Sequence, residues 1–310
     1  MGIRLLLLKT KDFQNILNSM KKNVALVLSG GGARGIAHIG VIEELLSRGY
    51  NISSIAGTSM GSLIGGVYAL GKMDVLKEWA YTLDKKKAFS LVDFTMGKQG
   101  MVRGDKVFNK MKELIPDANI EDLRIPYAAV AVDIISRKEV VFKRGSLYDA
   151  IRASVAIPTV LTPVKSEHGL LVDGGLLNNI PIDHVQRKKR DKLIAVNVNA
   201  NIPAPPQIIH ETDHEEKESR YKRKTKEFYK HLQKMTIGDD HEEENLGYFN
   251  LISRTIEIMT WRIDEFLLEC HKPDHLIEIS REASAIWDFY KAEELVEQGR
   301  RAAIKALDKN

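Results

Sequence analysis

The sequence predicts an α/β protein built on a central, mainly parallel β-sheet. Two observations predict this class. Short apolar runs alternate with helical patterns from residue 24 onward, and two of the strand-to-helix connections are rich in glycine. The chain has 310 residues, of which 44% are hydrophobic and 28% charged. A chain of this size and composition can bury a large core without disulfides or a structural metal.

The first half of the predicted sheet is a strand–helix–strand–helix unit, the pattern of parallel strands with right-handed crossovers. Residues 24–28 form a continuous apolar run, as in a buried parallel strand. A helical pattern at 36–48 ends at Gly49, a second strand is predicted at 52–56, and a small-residue helix at 62–70 ends at Gly71. The later predicted elements are helices at 105–115, 147–154 and 292–307, and strands at 127–133, 139–142, 170–172, 193–198 and 275–279.

Two segments stand apart from this pattern. Residues 1–22 are predicted as an N-terminal helical segment, either docked on the main domain (23–310) or acting as an interfacial anchor. Residues 203–272 are predicted as a helical hairpin inserted into that domain. Its charged first helix carries one apolar stripe, which includes Phe228 and Leu232, and its second helix, at 246–270, is more apolar. We expect the hairpin to be a cover or a docking surface and not part of the chemistry.

Composition favours a cytoplasmic protein. Cys270 is the only cysteine, which rules out an intramolecular disulfide, and no apolar run approaches the roughly 18 residues of a membrane span. The net charge of +4 does not indicate nucleic-acid binding. The basic runs at 85–87 and 187–190 are either a solvated surface or a peripheral contact with anionic lipid at the inner membrane face. The sequence carries no indication of the oligomeric state.

The first glycine-rich connection follows the first predicted strand and precedes a helix. It comprises Gly30, Gly31, Gly32, Ala33, Arg34 and Gly35. Glycines allow a tight turn that points several N–H groups at one place, and the helix adds its positive N-terminal end. The loop therefore predicts a site for an anion, either a phosphate or a developing oxyanion.

The second connection has the pattern of a nucleophile elbow, G-x-S-x-G. It comprises Gly57, Thr58, Ser59, Met60 and Gly61 at a strand-to-helix turn, where the serine hydroxyl would be presented on a sharp bend. A third motif, Asp173 followed by Gly174 and Gly175, ends a short apolar strand. Taken alone, this third motif is also typical of an ordinary turn.

The combination of motifs favours acyl transfer over nucleotide binding. A dinucleotide site would need an acidic residue at the end of the second strand, and the chain has Ala56 there. A Walker loop would need a Gly-Lys-Ser/Thr sequence, which residues 33–35 do not provide. An oxyanion loop, a serine elbow and a carboxylate form a coherent set for ester hydrolysis.

These three motifs resemble the signature motifs of patatin-like phospholipases, and residues 147–154, 157–158 and 178–181 are similar to that family as well. The resemblance covers residues 23–200 and, more weakly, the final helix. It implies a three-layer fold with helices on both faces of the sheet, and a lipid acyl hydrolase of phospholipase A or lysophospholipase type. It implies further that Ser59 is the nucleophile and Asp173 the base, without a histidine, metal or cofactor. The N–H groups of Gly31, Gly32 and Ala33 match the family's oxyanion hole, and Arg34 matches an arginine that braces the loop.

Three alternatives stay open at this stage. A Ser-Asp-His esterase of the α/β-hydrolase type could draw its histidine from His184, His271 or His275, which follow Asp173, whereas His38 lies just after the glycine loop. The chain could also be a nucleotide-binding module or a catalytically silent regulatory protein. No spacing of His, Cys, Asp or Glu in the sequence predicts a metal site.

Overall fold

The computed structural model describes residues 22–93, 103–158, 160–167, 169–204 and 248–308. The predicted N-terminal helical segment, apart from Lys22, lies outside the described residues. The same holds for residues 205–247, which include the first helix of the predicted hairpin.

Eight strands form one sheet within the described ranges. Neighbouring strands run parallel in the order β3, β2, β1, β7, β8, and β4, β5 and β6 pair antiparallel at the β3 side. The strands are β1 (Lys22–Leu28), β2 (Tyr50–Thr58), β3 (Tyr127–Asp133), β4 (Lys138–Phe142), β5 (Val164–Ser166), β6 (Gly169–Asp173), β7 (Lys192–Ala200) and β8 (His275–Ser280).

Helices cover both faces of this sheet. The longer ones are α1 (Ala37–Ser47), α2 (Met60–Leu70), α3 (Met73–Tyr81), α4 (Lys85–Ser90), α5 (Asp105–Leu114), α6 (Leu147–Ser154), α7 (Tyr248–His271) and α8 (Ala292–Leu307). In β1, Val24, Leu26 and Leu28 belong to the main core with α1, α2 and α8, whereas Ala25 and Val27 belong to a second core against which Leu268 of α7 packs. This alternation along one strand confirms the predicted layered α/β fold.

Strands β2 and β6 lie end to end along the same side of β3. Ala129 and Val130 pair with β2 and β4, and Ala131 to Asp133 pair with β6 and β4. Because a residue in a sheet has only two sides and β4 occupies one of them throughout, β2 and β6 must share the other. The antiparallel direction of β6 then brings its last residue, Asp173, to the end of β2 at Thr58.

Several local features differ from the sequence prediction. The second half of the glycine loop forms a short 3-10 helix, Gly32–Ile36, before α1 begins, and α2 begins at Met60, two residues earlier than expected. The sequence analysis did not predict α3, α4 or β5. With six and three residues, α4 and β5 are too short for a distinct periodic pattern. None of the helices in the described part of the chain is long and apolar enough to cross a membrane.

Helices α1 and α8 cross at a contact between glycines. A Cβ atom added at Gly299 would lie 1.9 Å from the carbonyl oxygen of Ala37, and one added at Gly40 would lie 1.8 Å from that of Val296. The two backbones therefore approach more closely than any side chain allows. Since α1 follows the glycine loop directly, this contact also sets the position of the loop's C-terminal end.

We expect Gly299→Ala to destabilise the protein. Alanine improves helix propensity by about 1 kcal/mol, but overlap with a backbone carbonyl costs roughly 1–3 kcal/mol or more. Urea unfolding should show a net loss of stability. The control is Arg301→Ala, an exposed substitution on the same helix that should change stability by less than about 0.5 kcal/mol. A Gly299→Ala protein as stable as the parent would show that α1 and α8 can separate without loss.

Candidate active site

Ser59 sits on a strained turn between β2 and α2. Its φ of 53° lies in the left-handed region, which is unusual for a residue other than glycine and is expected of a nucleophile elbow. The backbone N–H of Ser59 donates to Oγ of Ser154 at 2.9 Å, and this hydroxyl donates to the carbonyl of Val130 at 2.6 Å. A buried serine of α6 thus links the strained turn to β3.

The neighbours of Ser59 allow β2, α2 and β1 to approach closely. A Cβ atom added at Gly61 would lie 2.2 Å from the carbonyl oxygen of Leu28, and one at Gly57 would lie 2.4 Å from the carbonyl oxygen of Gly61. Thr58 donates through its hydroxyl to the carbonyl of Asn178 at 2.7 Å. The elbow is therefore packed against β1 on one side and against the chain after Asp173 on the other.

Asp173 faces Ser59 across the junction of β2 and β6. The Ser59 side chain lies close enough to this carboxylate to lower its pKa, and the N–H of Gly175 donates to it at 2.8 Å. Gly174 and Gly175 begin a short 3-10 helix that Asp173 caps. Burial raises the pKa of Asp173 to about 6, and the interactions with Ser59 and Gly175 oppose this rise. The carboxylate is therefore ionised at neutral pH and more basic than an ordinary aspartate.

The glycine loop lies beside the elbow, but its N–H groups are not equally available. The N–H of Gly30 donates to the carbonyl of Asn179 at 3.2 Å, and that of Ala33 donates to the carbonyl of Ile286 at 2.8 Å. Among the described residues, the N–H groups of Gly31 and Gly32 have no acceptor. The expected donor set of Gly31, Gly32 and Ala33 is therefore wrong for Ala33, because a contact 253 positions further along the chain already uses its N–H.

Arg34 ties this loop to the far end of the sheet. Its guanidinium donates to the carbonyl of Arg281 at 2.8 Å and to Oδ1 of Asn199 at 2.7 Å, and Asn199 in turn donates to the carbonyl of Gly30 at 2.7 Å. Burial lowers the pKa of Arg34 to about 10, so it remains charged at neutral pH. Gly35, the last residue of the loop, packs so closely against Met60 that an added Cβ would overlap the Met60 side chain.

Two cavities flank the glycine loop. An apolar cavity of about 220 Å³ begins at Ser59, and its walls are apolar side chains of α2, α3 and α5, including Leu63, Leu76 and Phe108. A polar cavity of about 650 Å³ lies on the other side of the loop and is lined by Gly31, Asn199, α7 and the chain after β8. Gly32 and Ile286 line the apolar cavity, and Ile286 lines the polar one as well. Ile286 therefore forms part of the wall between them.

Helix α7, the second helix of the predicted hairpin, contacts the segment after Asp173. Thr260 donates to the carbonyl of Gly175 at 3.2 Å, and Oδ2 of Asp264 accepts a hydrogen bond of 2.9 Å from the side chain of Asn179. Asp264 is buried, and the loss of solvation raises its pKa to about 7. Much of the helix is less buried than expected, because Leu251, Ile258 and Phe266 are exposed.

Sequence reasoning missed four of these supporting residues. Ser154 and Asn179 lie in stretches that resemble the family, so their positions gave a signal but their contacts did not. Asn199 follows an apolar strand, and Asp264 lies in a helix without any motif. Their contacts span from 85 to 169 positions along the chain, which no local pattern reveals.

The structure describes four histidines, and none of them contacts Ser59 or Asp173. His38 is buried against the carbonyl of Ser29, His184 contacts Glu139 at 2.6 Å, His275 lies beside Lys192, and His271 ends α7. His184 also belongs to a cluster with Glu139 and Asp183, whose ligand atoms lie within 4.8 Å of one another. The sequence spacing did not predict this cluster. Its members already contact each other directly and through Asn178.

The chain is similar to a known protein family and to several known proteins. The family model for patatin-like phospholipases matches residues 26–185. An NTE family protein of Mycobacterium tuberculosis is 32% identical, and the match covers 94% of this chain and 93% of that protein. Patatin-like phospholipase domain-containing protein 6 of Mus musculus is 35% identical over 61% of this chain, although the match covers only 14% of that longer protein.

The solved structure of VipD from Legionella pneumophila aligns over 93% of this chain and 67% of its own, with 15% identity and a TM-score of 0.46. The match to the family model and the similarity to the mycobacterial protein over 94% of the chain show the family without this structural comparison. Membership of the family supports a lipid hydrolase activity in general. The chain belongs to the patatin-like phospholipase family.

Proposed function

We propose that the protein hydrolyses carboxylic esters of lipids, with Ser59 as nucleophile and Asp173 as base. The observation that carries this proposal is the proximity of the Ser59 side chain to the buried carboxylate of Asp173, beside an apolar cavity that Ser59 helps to line. A nucleophile in contact with its base, beside free backbone donors, is the arrangement that acyl transfer needs.

The reaction proceeds in two halves. Ser59 Oγ attacks the ester carbonyl carbon while its proton passes to Asp173, and the N–H groups of Gly31 and Gly32 stabilise the developing oxyanion. The intermediate collapses, the ester C–O bond breaks, and protonated Asp173 returns the proton to the leaving alcohol. Water then attacks the acyl-serine with Asp173 again as base, which releases the fatty acid and restores the free hydroxyl.

The basicity of Asp173 decides whether Ser59 and Asp173 can catalyse hydrolysis without a histidine. A carboxylate is a weak base for an alcohol, so proton transfer must accompany attack and the oxyanion must be stabilised at once. Burial raises the pKa of Asp173 to about 6, which narrows the difference between its pKa and that of the serine hydroxyl. In serine hydrolases, one oxyanion donor lowers the activation barrier by about 2.7–4 kcal/mol. The two N–H donors, which the Arg34–Asn199 brace holds in place, would therefore supply the larger share of the barrier reduction.

The two cavities indicate how a lipid would lie. Each buried methylene of an acyl chain contributes about 0.8 kcal/mol, so the apolar cavity at Ser59 suits the acyl group. The polar cavity, which Arg254 and Arg281 help to line, is placed to take the polar part of the alcohol. This division favours a phospholipase A or lysophospholipase. The lysines at 85–87 begin α4, and Ala88 of that helix lines the apolar cavity, so these basic residues are suited to peripheral contact with an anionic lipid surface.

The dyad is tested with three variants. Ser59→Ala and Asp173→Asn should each abolish hydrolysis of a soluble ester, and the double variant should be no worse, because the two residues act as a unit. Labelling with a fluorophosphonate should disappear in Ser59→Ala. Alanine at His184, His271 or His275 is the matched control and should retain most of the activity. A folded histidine variant as inactive as Ser59→Ala would replace the dyad with a triad.

The raised pKa of Asp173 sets the pH dependence. The base works only when ionised, so kcat/KM should rise with pH through about 6 and fall about tenfold per unit below it. The profile is measured on a soluble ester at constant ionic strength. His184→Ala and His275→Ala should leave the acid limb unchanged. If either substitution moves it, a histidine and not Asp173 controls the rate.

The apolar cavity should set acyl-chain length. Ala80 of α3 is buried and lines this cavity, so Ala80→Phe fills part of it. We expect the ratio of activity on a palmitoyl ester to activity on a butyryl ester to fall about tenfold or more, equal to the loss of two or more buried methylenes. Glu78→Phe adds the same ring to an exposed position of α3 and should leave the ratio unchanged. An unchanged ratio in Ala80→Phe would place the acyl chain elsewhere.

A further inference from the structure

Helix α7 places a buried carboxylate against Asn179, a residue that packs beside the candidate dyad. Asp264 is only 3% exposed, and its Oδ2 accepts a hydrogen bond of 2.9 Å from Nδ2 of Asn179. Its Oδ1 has no partner within the described part of the chain. The reaction proposed above does not use Asp264. A buried carboxylate that is only half satisfied disfavours folding, so its presence points to another role.

The carboxamide of Asn179 lies between the motifs that make up the site. A Cβ atom added at Gly30 would lie 2.5 Å from Oδ1 of Asn179 and 3.0 Å from Cβ of Ser59. One added at Gly175 would lie 3.2 Å from the same Oδ1 and 3.1 Å from Oδ1 of Asp173. The backbone carbonyl of Asn179 also accepts the N–H of Gly30. Asn179 therefore packs against the glycine loop and the aspartate turn at once.

The orientation of this carboxamide matters because one end accepts hydrogen bonds and the other donates them. An amide offers an acceptor oxygen at one end and two N–H donors at the other, in nearly the same shape. The oxygen of Asp264 draws Nδ2 toward α7 and leaves Oδ1 beside Gly30 and Gly175. In the reversed orientation, the NH₂ group would lie beside the Gly175 turn and compete with the Ser59 hydroxyl for the carboxylate of Asp173.

We propose that Asp264 is a positioning residue for the hydrolysis: it fixes the carboxamide of Asn179 and thereby the spacing of the glycine loop, Ser59 and Asp173. The proposal rests on the function proposed above. Asp264 lies outside residues 26–185, which match the family model, so a helix beyond that region completes the support of the dyad. Thr260, one turn earlier on α7, makes a second contact with this turn through the carbonyl of Gly175.

The test compares Asp264→Leu, Asp264→Asn, Asn179→Ala and the double variant Asp264→Leu/Asn179→Ala on a soluble ester. Asp264→Leu removes the acceptor, and we expect kcat to fall about 10- to 100-fold, as small misplacements of catalytic groups do, while KM changes little. Asp264→Asn retains an acceptor oxygen and should keep most of the activity. The double variant should be no worse than Asn179→Ala, since Asp264 acts through Asn179. Glu265→Ala, on the next residue of α7 and paired with Arg262, is the control and should behave as the parent.

Melting temperature separates positioning from folding in each variant. Asp264→Ala replaces Asp264→Leu if the leucine variant fails to fold. Wild-type kcat in a folded Asp264→Leu, additive losses in the double variant, or equal losses in Asp264→Asn and Asp264→Leu would each overturn the inference. Full activity in Ser59→Ala would instead refute the proposed function. An inactive Ser59→Ala beside a fully active Asp264→Leu would remove only the role of Asp264.

Discussion

The arrangement of β2 and β6 along one side of β3 is the constraint on which the candidate site depends. Val130 pairs with Thr58, and its neighbour Ala131 pairs with Asp173, so two strands of opposite direction end at the same point of the sheet. A shift of β6 by one residue would turn Asp173 to the other face of the sheet. The proximity of Ser59 and Asp173 is thus set by backbone pairing, and side-chain contacts refine it.

The site concentrates groups whose burial disfavours folding. Desolvation raises the pKa of Asp173 and Asp264 and lowers that of Arg34, and Ser59 adds a strained backbone angle. Each of these features weakens the folded state relative to an apolar substitute. They are held by the large surrounding core and by contacts between distant segments, such as Arg34 with Arg281 and Asn199. Strain and burial in one place are expected where a structure trades stability for chemistry.

The sequence was sufficient to predict the main strands, the helices that follow the two glycine-rich turns, and the order of the motifs. These features are local, because an apolar run or a glycine before a helix acts over a few residues. The sequence could not show that the N–H of Ala33 is already used by Ile286, nor that α7 contacts Asn179. Both depend on how the last third of the chain folds back over the glycine loop. Helix α4 was missed because a helix of six residues carries a weak periodic signal.

The motifs and their support come from different parts of the chain. Residues 26–185 contain the loop, the elbow and the aspartate, whereas Asn199, Asp264 and Ile286, which hold them in place, all lie beyond. The carbonyl of Ile286 accepts the N–H of Ala33, next to Gly32, and Asp264 accepts a hydrogen bond from the carboxamide of Asn179. The similarity to the mycobacterial NTE family protein extends over 94% of this chain, and so includes this supporting region. In the mechanism proposed above, the motifs would supply the reacting groups, and the contacts from β7 onward would supply the rigidity that two oxyanion donors need in order to act together.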